Sequence, residues 1–168
     1  AMMSAELSEH GATSIEELHA AKRVRRWTMP GVSAKLSDEQ QKQLESGDFD
    51  SLEQTEVQTR ETRQAALQGV TRLAGQAAIE AVMATEGELN RTMKYVITDE
   101  GFVDGHYDDT VGVDTMGVGQ TGDLQGKTFK ESFAIKETLA LSLMPDLQDM
   151  NDESYDALVS SVYRGSLS

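Results

Sequence analysis

One interval of this 168-residue chain holds half of its glycines, and it sets the strongest limit on how the chain can fold. Seven of the fourteen glycines lie between residues 101 and 126, among alternating apolar positions such as Val111 and Val113. Short alternating runs with closely spaced glycines are typical of short strands joined by tight turns. The interval therefore predicts a small hairpin sheet of two or three strands.

Helical patterns flank this interval on both sides. Three predicted helix starts have a serine or threonine followed three positions later by glutamate or glutamine, which is the capping-box spacing. They are Ser14, Ser37 and Thr128. The Met-Pro-Gly segment at 29–31 is expected to break the chain between the first two helices, because proline and glycine interrupt helical structure.

A longer helix is predicted from about residue 53 to residue 84, where apolar side chains form a narrow stripe at helical spacing. The segment 85–88 is expected to interrupt it. The apolar face from Leu89 to Ile97 predicts a short helix that ends at Gly101, and the amphipathic segment 155–162 predicts a last helix. Helices around a small glycine-rich sheet make the predicted fold class α+β.

The composition narrows the possible function classes. The chain has a formal net charge of −14, with fourteen acidic and only four basic side chains after residue 97, and it contains no cysteine. Binding to nucleic acid or to an anionic membrane needs clustered lysine and arginine, so neither partner is expected. Disulfides, thiolate metal sites and cysteine nucleophiles are excluded. No membrane span and no secretory leader are predicted from the sequence.

One basic cluster interrupts this acidic composition, at Lys22, Arg23, Arg25 and Arg26, next to Trp27. It fits either the solvated face of a helix with one anchoring aromatic residue or a patch that binds an acidic partner. Trp27 is likewise open to two interpretations, an anchor in a core or interface and a platform on which a sugar ring stacks.

Two carboxylates and a hydroxyl form the candidate catalytic group. Glu100 is expected at the C-terminal end of its helix, where the helix dipole disfavours a carboxylate and tends to raise its pKa. Asp109 and Thr115 lie on the hairpin that follows, which could fold back beside the helix end. Glycoside hydrolysis needs one protonated carboxyl and one ionised carboxylate, and a hydroxyl can hold the attacking water. An accidental grouping in this acidic region is the open alternative.

The residues around this group carry a recognisable pattern. Glu-Gly at 100–101 is followed by Tyr-Asp-Asp-Thr-Val-Gly at 107–112 and by Thr-Met-Gly-Val-Gly at 115–119, and Tyr-Asp-Ala-Leu-Val-Ser stands at 155–160. In order and spacing these segments resemble the phage-type lysozyme family, the muralytic endolysins of bacteriophages. The resemblance covers about residues 89–168.

The resemblance implies a lysozyme-like module at residues 86–168, made of a helix, a small antiparallel sheet and further helices, after a mainly helical extension at 1–85. It implies that Glu100 is the general acid, that Asp109 assists as the carboxylate partner and that Thr115 positions the water. It further implies hydrolysis of the β-1,4 bond between N-acetylmuramic acid and N-acetylglucosamine in peptidoglycan. No cofactor and no metal are expected.

The sequence departs from the family pattern at two places. Gln120 stands where the family usually has a histidine that braces the hairpin, which puts the rigidity of the site in question. The family's helical lobe continues past the Ala-Leu-Val-Ser helix, whereas this sequence ends at Ser168. The lobe is therefore expected to be incomplete, with one wall of the substrate cleft missing, supplied by another chain or cut away. The extension could cover the helices that this leaves exposed.

A calcium or zinc site is the alternative interpretation of the acidic hairpin. Its candidate ligands are Asp104, His106, Asp108 and Asp114. These residues lack the EF-hand spacing and its terminal glutamate, so carboxylates solvated in turns are the competing interpretation.

Two function classes follow from the sequence. The first is a bacteriophage peptidoglycan hydrolase. The acidity and the long extension favour a virion-associated enzyme over a free endolysin, since cell walls are also anionic. Such an enzyme would act on the cell wall in the host periplasm, and its N-terminal helices would bind a virion protein. The alternative is a structural virion or assembly protein that retains an inactive lysozyme-like module.

Overall fold

A computed structural model describes residues 14–165 of the chain. Helices and one three-stranded antiparallel sheet account for its regular structure, so the predicted α+β class is confirmed. The chain divides into two compact units, one up to Thr55 and one from Glu56 onward. Residues 1–13, which fall within the predicted extension at 1–85, lie outside the described residues.

Short helices make up the described part of the first unit. They are α1 (Ile15–Thr28), α2 (Pro30–Ser33), α3 (Asp38–Ser46) and the beginning of α4 (Phe49–Leu67). Both predicted helix starts are confirmed: Ser14 accepts the N–H of Glu17 at 3.1 Å, and Ser37 forms a complete capping box with Gln40. The predicted break is also confirmed, because Pro30 begins a new helix.

Trp27 is a core residue of the first unit, with only 3% of its surface exposed. This burial confirms the anchoring interpretation and contradicts its interpretation as a sugar-stacking platform. In the basic cluster, the Arg23 guanidinium makes ion pairs with Glu53 at 2.5 Å and with Asp50 at 2.6 Å. Part of the positive charge of the cluster is therefore neutralised within the same unit.

Within residues 14–165, the second unit contains the sheet and the four helices that follow α4. After α4 come β1 (Arg72–Leu73), α5 (Gly75–Glu86), α6 (Arg91–Glu100), β2 (Phe102–Asp108), β3 (Asp114–Gly117), a 3₁₀ turn (Gly122–Gly126), α7 (Phe129–Leu143), a second 3₁₀ turn (Pro145–Asp149) and α8 (Asp152–Arg164).

The prediction of one continuous helix over residues 53–84 is wrong. Helix α4 ends at Leu67, Gly69 adopts a left-handed φ of +77°, and β1 then separates α4 from α5. A glycine in this conformation ends a helix at little steric cost. The two residues of β1 pair with β2, so tertiary pairing outweighs the local helical pattern.

The sheet has the strand order β1–β2–β3, and both pairings are antiparallel. The glycine-rich interval supplies β2 and β3 as predicted, whereas the third strand comes from the earlier part of the chain. The register of the β2–β3 hairpin shifts between Val103 and His106, around Gly105. Such a bulge bends a strand and re-aims its side chains.

The larger of two apolar clusters in the described part of the second unit forms its main core. Its buried members are Ala78, Ile79, Val82, Leu89, Val96, Ile97, Val118, Phe129, Phe133, Ala140, Leu147, Val159, Val162 and Tyr163. Helices α5 to α8 all contribute, so the predicted apolar face from Leu89 to Ile97 is confirmed as a core face. Helix α6 ends at Gly101, as predicted, and α7 begins with the predicted capping box of Thr128.

Candidate active site

Glu100 is the last residue of α6, where the sequence predicted it. Gly101 ends the helix with a φ of +72°, and the Glu100 carbonyl accepts a hydrogen bond from Arg72 at 2.8 Å. The carboxyl group lies directly against Gly119, and a Cβ atom at that position would collide with Oε2. The second glycine of the Gly-Val-Gly motif therefore leaves the space that the Glu100 side chain occupies.

The pKa of the Glu100 carboxyl is raised to about 7. Burial is the main cause, because a desolvated carboxyl favours its neutral form. The charges of Asp99 and Glu61 add to the rise, whereas Arg164 and Arg72 oppose it. The predicted direction is confirmed, but its main cause is desolvation. At neutral pH a large fraction of this carboxyl holds a proton that it can donate.

Asp109 follows β2 and organises the turn of the hairpin. Its Oδ1 accepts the backbone N–H groups of Val111 and Val113, both at 2.9 Å. Its own backbone N–H donates to the Val113 carbonyl at 2.9 Å. Both side-chain bonds end on Oδ1, so Oδ2 is the oxygen that could act on a water molecule or a sugar hydroxyl.

Thr115 lies on β3, opposite Tyr107 of β2, and only 7% of its surface is exposed. Its hydroxyl donates to the Val113 carbonyl at 3.0 Å. That proton is therefore engaged, and the hydroxyl oxygen keeps acceptor capacity for a water.

The structure brings Asp109 and Thr115 together, because both donate to the same Val113 carbonyl. Glu100 meets the hairpin at Gly119, just beyond the end of β3, whereas Asp109 stands at the turn between the strands. The structure therefore brings Asp109 and Thr115 together, whereas Glu100 contacts the other end of the hairpin.

Gln120 fills the bracing position that the sequence left in question. Its side chain is almost fully buried, and Nε2 lies within 3.0 Å of the carbonyls of Leu124 and Lys127 and the hydroxyl of Ser132. Its Oε1 accepts the N–H of Val118 at 3.3 Å. The glutamine therefore ties the end of the hairpin to the following turn and to α7.

Arg72 is the site-adjoining residue that sequence reasoning missed. It is buried on β1, and its guanidinium reaches the C-terminal end of α6. The available signal was the short β-branched segment Val70-Thr71 between Gly69 and Gly75, which does not fit a continuous helix. Its importance comes from the pairing of β1 with β2, which a local pattern does not predict.

The proposed metal ligands on the hairpin are not arranged as a set. His106 Nδ1 lies 3.3 Å from the carboxylate of Asp114 across the strands. Among residues 14–165, no three histidine or acidic side chains are grouped as a metal site would require. No helix in the same range is long and apolar enough to cross a membrane.

Comparisons with known proteins give no family assignment. The chain matches no protein-family model, no curated protein and no solved structure. The resemblance to phage-type lysozymes therefore depends on the sequence motifs alone.

Proposed function

We propose that this chain is a bacteriophage peptidoglycan hydrolase that cleaves the β-1,4 bond between N-acetylmuramic acid and N-acetylglucosamine. In this proposal Glu100 is the general acid. Asp109 is its carboxylate partner, and Thr115 holds the attacking water. The substrate partner is the glycan strand of the cell wall.

One observation carries the proposal: a carboxyl group at a helix end is desolvated against a glycine of the hairpin and has a pKa of about 7. A general acid works best when its pKa is near the working pH, because it must hold its proton and still release it. Glycosidases raise the pKa of their acid carboxyl by such burial.

The remaining two residues are consistent with the supporting roles. Asp109 offers Oδ2 for a water or a sugar hydroxyl, and Thr115 offers an acceptor oxygen on the same hairpin. The Asp109 carboxylate accepts the Val113 N–H and the Thr115 hydroxyl donates to the Val113 carbonyl, so one residue restrains both side chains, as an active site needs before the substrate arrives.

The helices of the first unit support a virion-associated version of this enzyme. They contribute none of the residues assigned to the chemistry, and they carry the basic cluster around Arg23 in an otherwise acidic chain. We therefore propose that this unit binds a virion protein and that the second unit acts on the cell wall of the host.

A structural virion protein with an inactive lysozyme-like module is the second candidate. The observation in its favour is that Asp109 and Thr115 already serve the fold, through the turn and the Val113 carbonyl. Residues that stabilise the fold can be retained in a module that no longer cleaves substrate.

The deciding experiment is turbidity clearing of Gram-negative cell walls stripped of their outer membrane. The wild-type chain should clear them, with a rate that falls as the pH rises past about 7, the pKa of the acid. Glu100→Gln should reduce the rate by at least about a hundredfold.

The matched control is Glu88→Gln, which removes an exposed glutamate between α5 and α6. It should clear walls at the wild-type rate. Equal clearing by wild type and Glu100→Gln would refute the assignment of the acid. A folded wild-type chain that clears nothing would favour the structural alternative.

A further inference from the structure

We infer that Glu61 and Arg72, which both precede the lysozyme-like stretch, are positioning residues that fix the surroundings of the Glu100 carboxyl. The inference rests on the proposed role of Glu100 as a general acid. It assigns part of the site to a segment whose sequence carries no lysozyme motif.

Arg72 holds the end of α6. Its guanidinium donates to the carbonyl of Glu100 at 2.8 Å and, on the other side, to Thr62 Oγ1 at 3.0 Å and to the side-chain and backbone oxygens of Gln58. A Cβ atom on Gly101 would lie 2.6 Å from the guanidinium carbon, so the group packs against the glycine backbone. Arg72 thereby fixes the residue from which the carboxyl projects.

Glu61 holds the hairpin. It is on α4, and its two carboxylate oxygens accept from the Tyr107 hydroxyl at 2.9 Å and from Thr110 Oγ1 at 2.7 Å. Tyr107 pairs with Thr115 across the strands, and Thr110 follows Asp109 directly. One carboxylate therefore contacts neighbours of both other candidate site residues.

Three glutamines extend this attachment: Gln58 and Gln64 are on the same helix, and Gln68 directly follows its last residue. Gln58 donates to the Asp99 carbonyl, and Gln64 and Gln68 donate to the Asp108 carbonyl at 3.2 and 2.7 Å. Gln68 also accepts the Asp108 N–H at 2.7 Å. Together with Glu61, these residues recur at three- to four-residue spacing, so one face of α4 and the residue after its end are bonded to α6 and to the hairpin.

Charged and titratable groups from four elements influence the Glu100 carboxyl. They are Asp99 on α6, Tyr163 and Arg164 on α8, Glu61 on α4 and Arg72 on β1. Glu61 and Arg72 carry opposite charges. If both are held in place beside Glu100, removing either charge must change the ionisation of Glu100, and the two changes must have opposite signs.

The test is an NMR titration of the Glu100 carboxyl carbon in the full chain, assigned by its absence from Glu100→Gln. Arg72→Gln should raise the titration midpoint by about half a pH unit to one unit, and Glu61→Gln should lower it by a similar amount. Arg72→Lys, which keeps the charge, should restore most of the wild-type midpoint.

Two control variants on α4 each remove one charge, one a cation and one a carboxylate, at positions other than Glu61 and Arg72. Arg63→Gln removes an exposed cation, and Glu56→Gln removes the carboxylate that pairs with Arg60 at 3.7 Å. Both should leave the Glu100 midpoint unchanged. Shifts of equal sign in Arg72→Gln and Glu61→Gln, or none in Glu61→Gln, would overturn the inference. If Arg72→Gln does not fold, the Glu100 midpoints of Glu61→Gln and Arg72→Lys test the inference.

The titration needs no wall cleavage, so the two proposals can fail separately. If the wild-type chain clears no walls, the proposed function fails whatever the midpoints show. If it does clear walls, the descending limb of its pH–rate profile should move with the NMR midpoint in both variants. If the NMR midpoint of Glu100 moves and the descending limb of the pH–rate profile does not, Glu100 is not the general acid of the reaction.

Discussion

Ionising the Glu100 carboxyl costs the folded chain free energy. Its pKa is about 7 in the native state against 4.5 for an ordinary glutamate, and burial against the hairpin is the main reason. Each unit of pKa difference between folded and unfolded states corresponds to about 1.4 kcal/mol. The favourable contribution of the protonated form is complete below about pH 4.5 and is lost as the pH rises through about 7.

Glu100→Gln should therefore stabilise the chain at alkaline pH relative to wild type. Glutamine does not ionise, so the difference in unfolding free energy between variant and wild type should rise by about 3 kcal/mol from pH 4.5 to pH 8. Urea unfolding at several pH values measures it. Glu88→Gln, an exposed counterpart, should follow wild type, and a pH-independent gap for Glu100→Gln would show that its carboxyl is not desolvated.

Individual residues differ in how far the sequence predicts them. Glu100 could be placed at a helix end because Gly101 follows it, and local glycine chemistry decides where a helix stops. The bonds of Gln120 could not be predicted, since they depend on a turn and a helix that fold onto it. The contact of Arg72 with α6 could not be predicted for the same reason, because only the pairing of β1 with β2 brings this side chain to the helix.

Helices α6 and α8 are joined by a buried carboxylate. Asp156 on α8 is 4% exposed and accepts from Arg91 at 2.9 and 3.1 Å and from Thr92 at 2.6 Å. Burial opposes ionisation of this group, but the hydrogen bonds from Arg91 and Thr92 prevail and lower its pKa. Tyr163 of α8 also donates to the carbonyl of Val118, so the same helix holds the hairpin.

Asp156→Ala should destabilise the chain by about 2–4 kcal/mol, because it leaves Thr92 and Arg91 without their shared buried acceptor. Thermal or urea unfolding measures the loss. Asp152→Ala is the control: Asp152 binds the same arginine at 3.1 Å but is 79% exposed, so its removal should cost less than about 1 kcal/mol. Equal losses in the two variants would show that burial does not strengthen the Asp156 contacts.

The elements that the sequence predicted well are those with local signals. The capping boxes of Ser37 and Thr128 fix two helix starts through bonds within four residues. The prediction of one helix over residues 53–84 failed because the alanine- and glutamine-rich composition of this stretch favours helix throughout. The actual break at β1 depends on pairing with a strand some thirty residues later in the chain.

The second unit begins well before residue 86, where the sequence motifs predicted the start of a module. It begins at Glu56, and α5 supplies the core residues Ala78, Ile79 and Val82. Burying Ile79 and Val82 alone contributes about 3–6 kcal/mol, which is comparable with the total stability of a small domain. A fragment of residues 86–168 lacks these core residues, so we expect it not to fold on its own.

A fragment of residues 56–168 should unfold cooperatively on heating, whereas a fragment of residues 86–168 should show no cooperative transition and poor amide dispersion in its NMR spectrum. Circular dichroism and a two-dimensional amide spectrum measure both. A shorter fragment that melts within a few degrees of the longer one would show that α5 and β1 are dispensable.

During synthesis the pairing of β1 with β2 is delayed, because β1 precedes its partner strand in the chain. Arg72 leaves the ribosome about thirty residues before its partner Val103, which corresponds to a few seconds at ordinary rates of synthesis. During that time the backbone groups of β1 have no strand to pair with, and an unpaired strand invites association with other chains. Because β1 is only two residues long, it exposes few backbone hydrogen-bonding groups with which another chain could pair before β2 is synthesised.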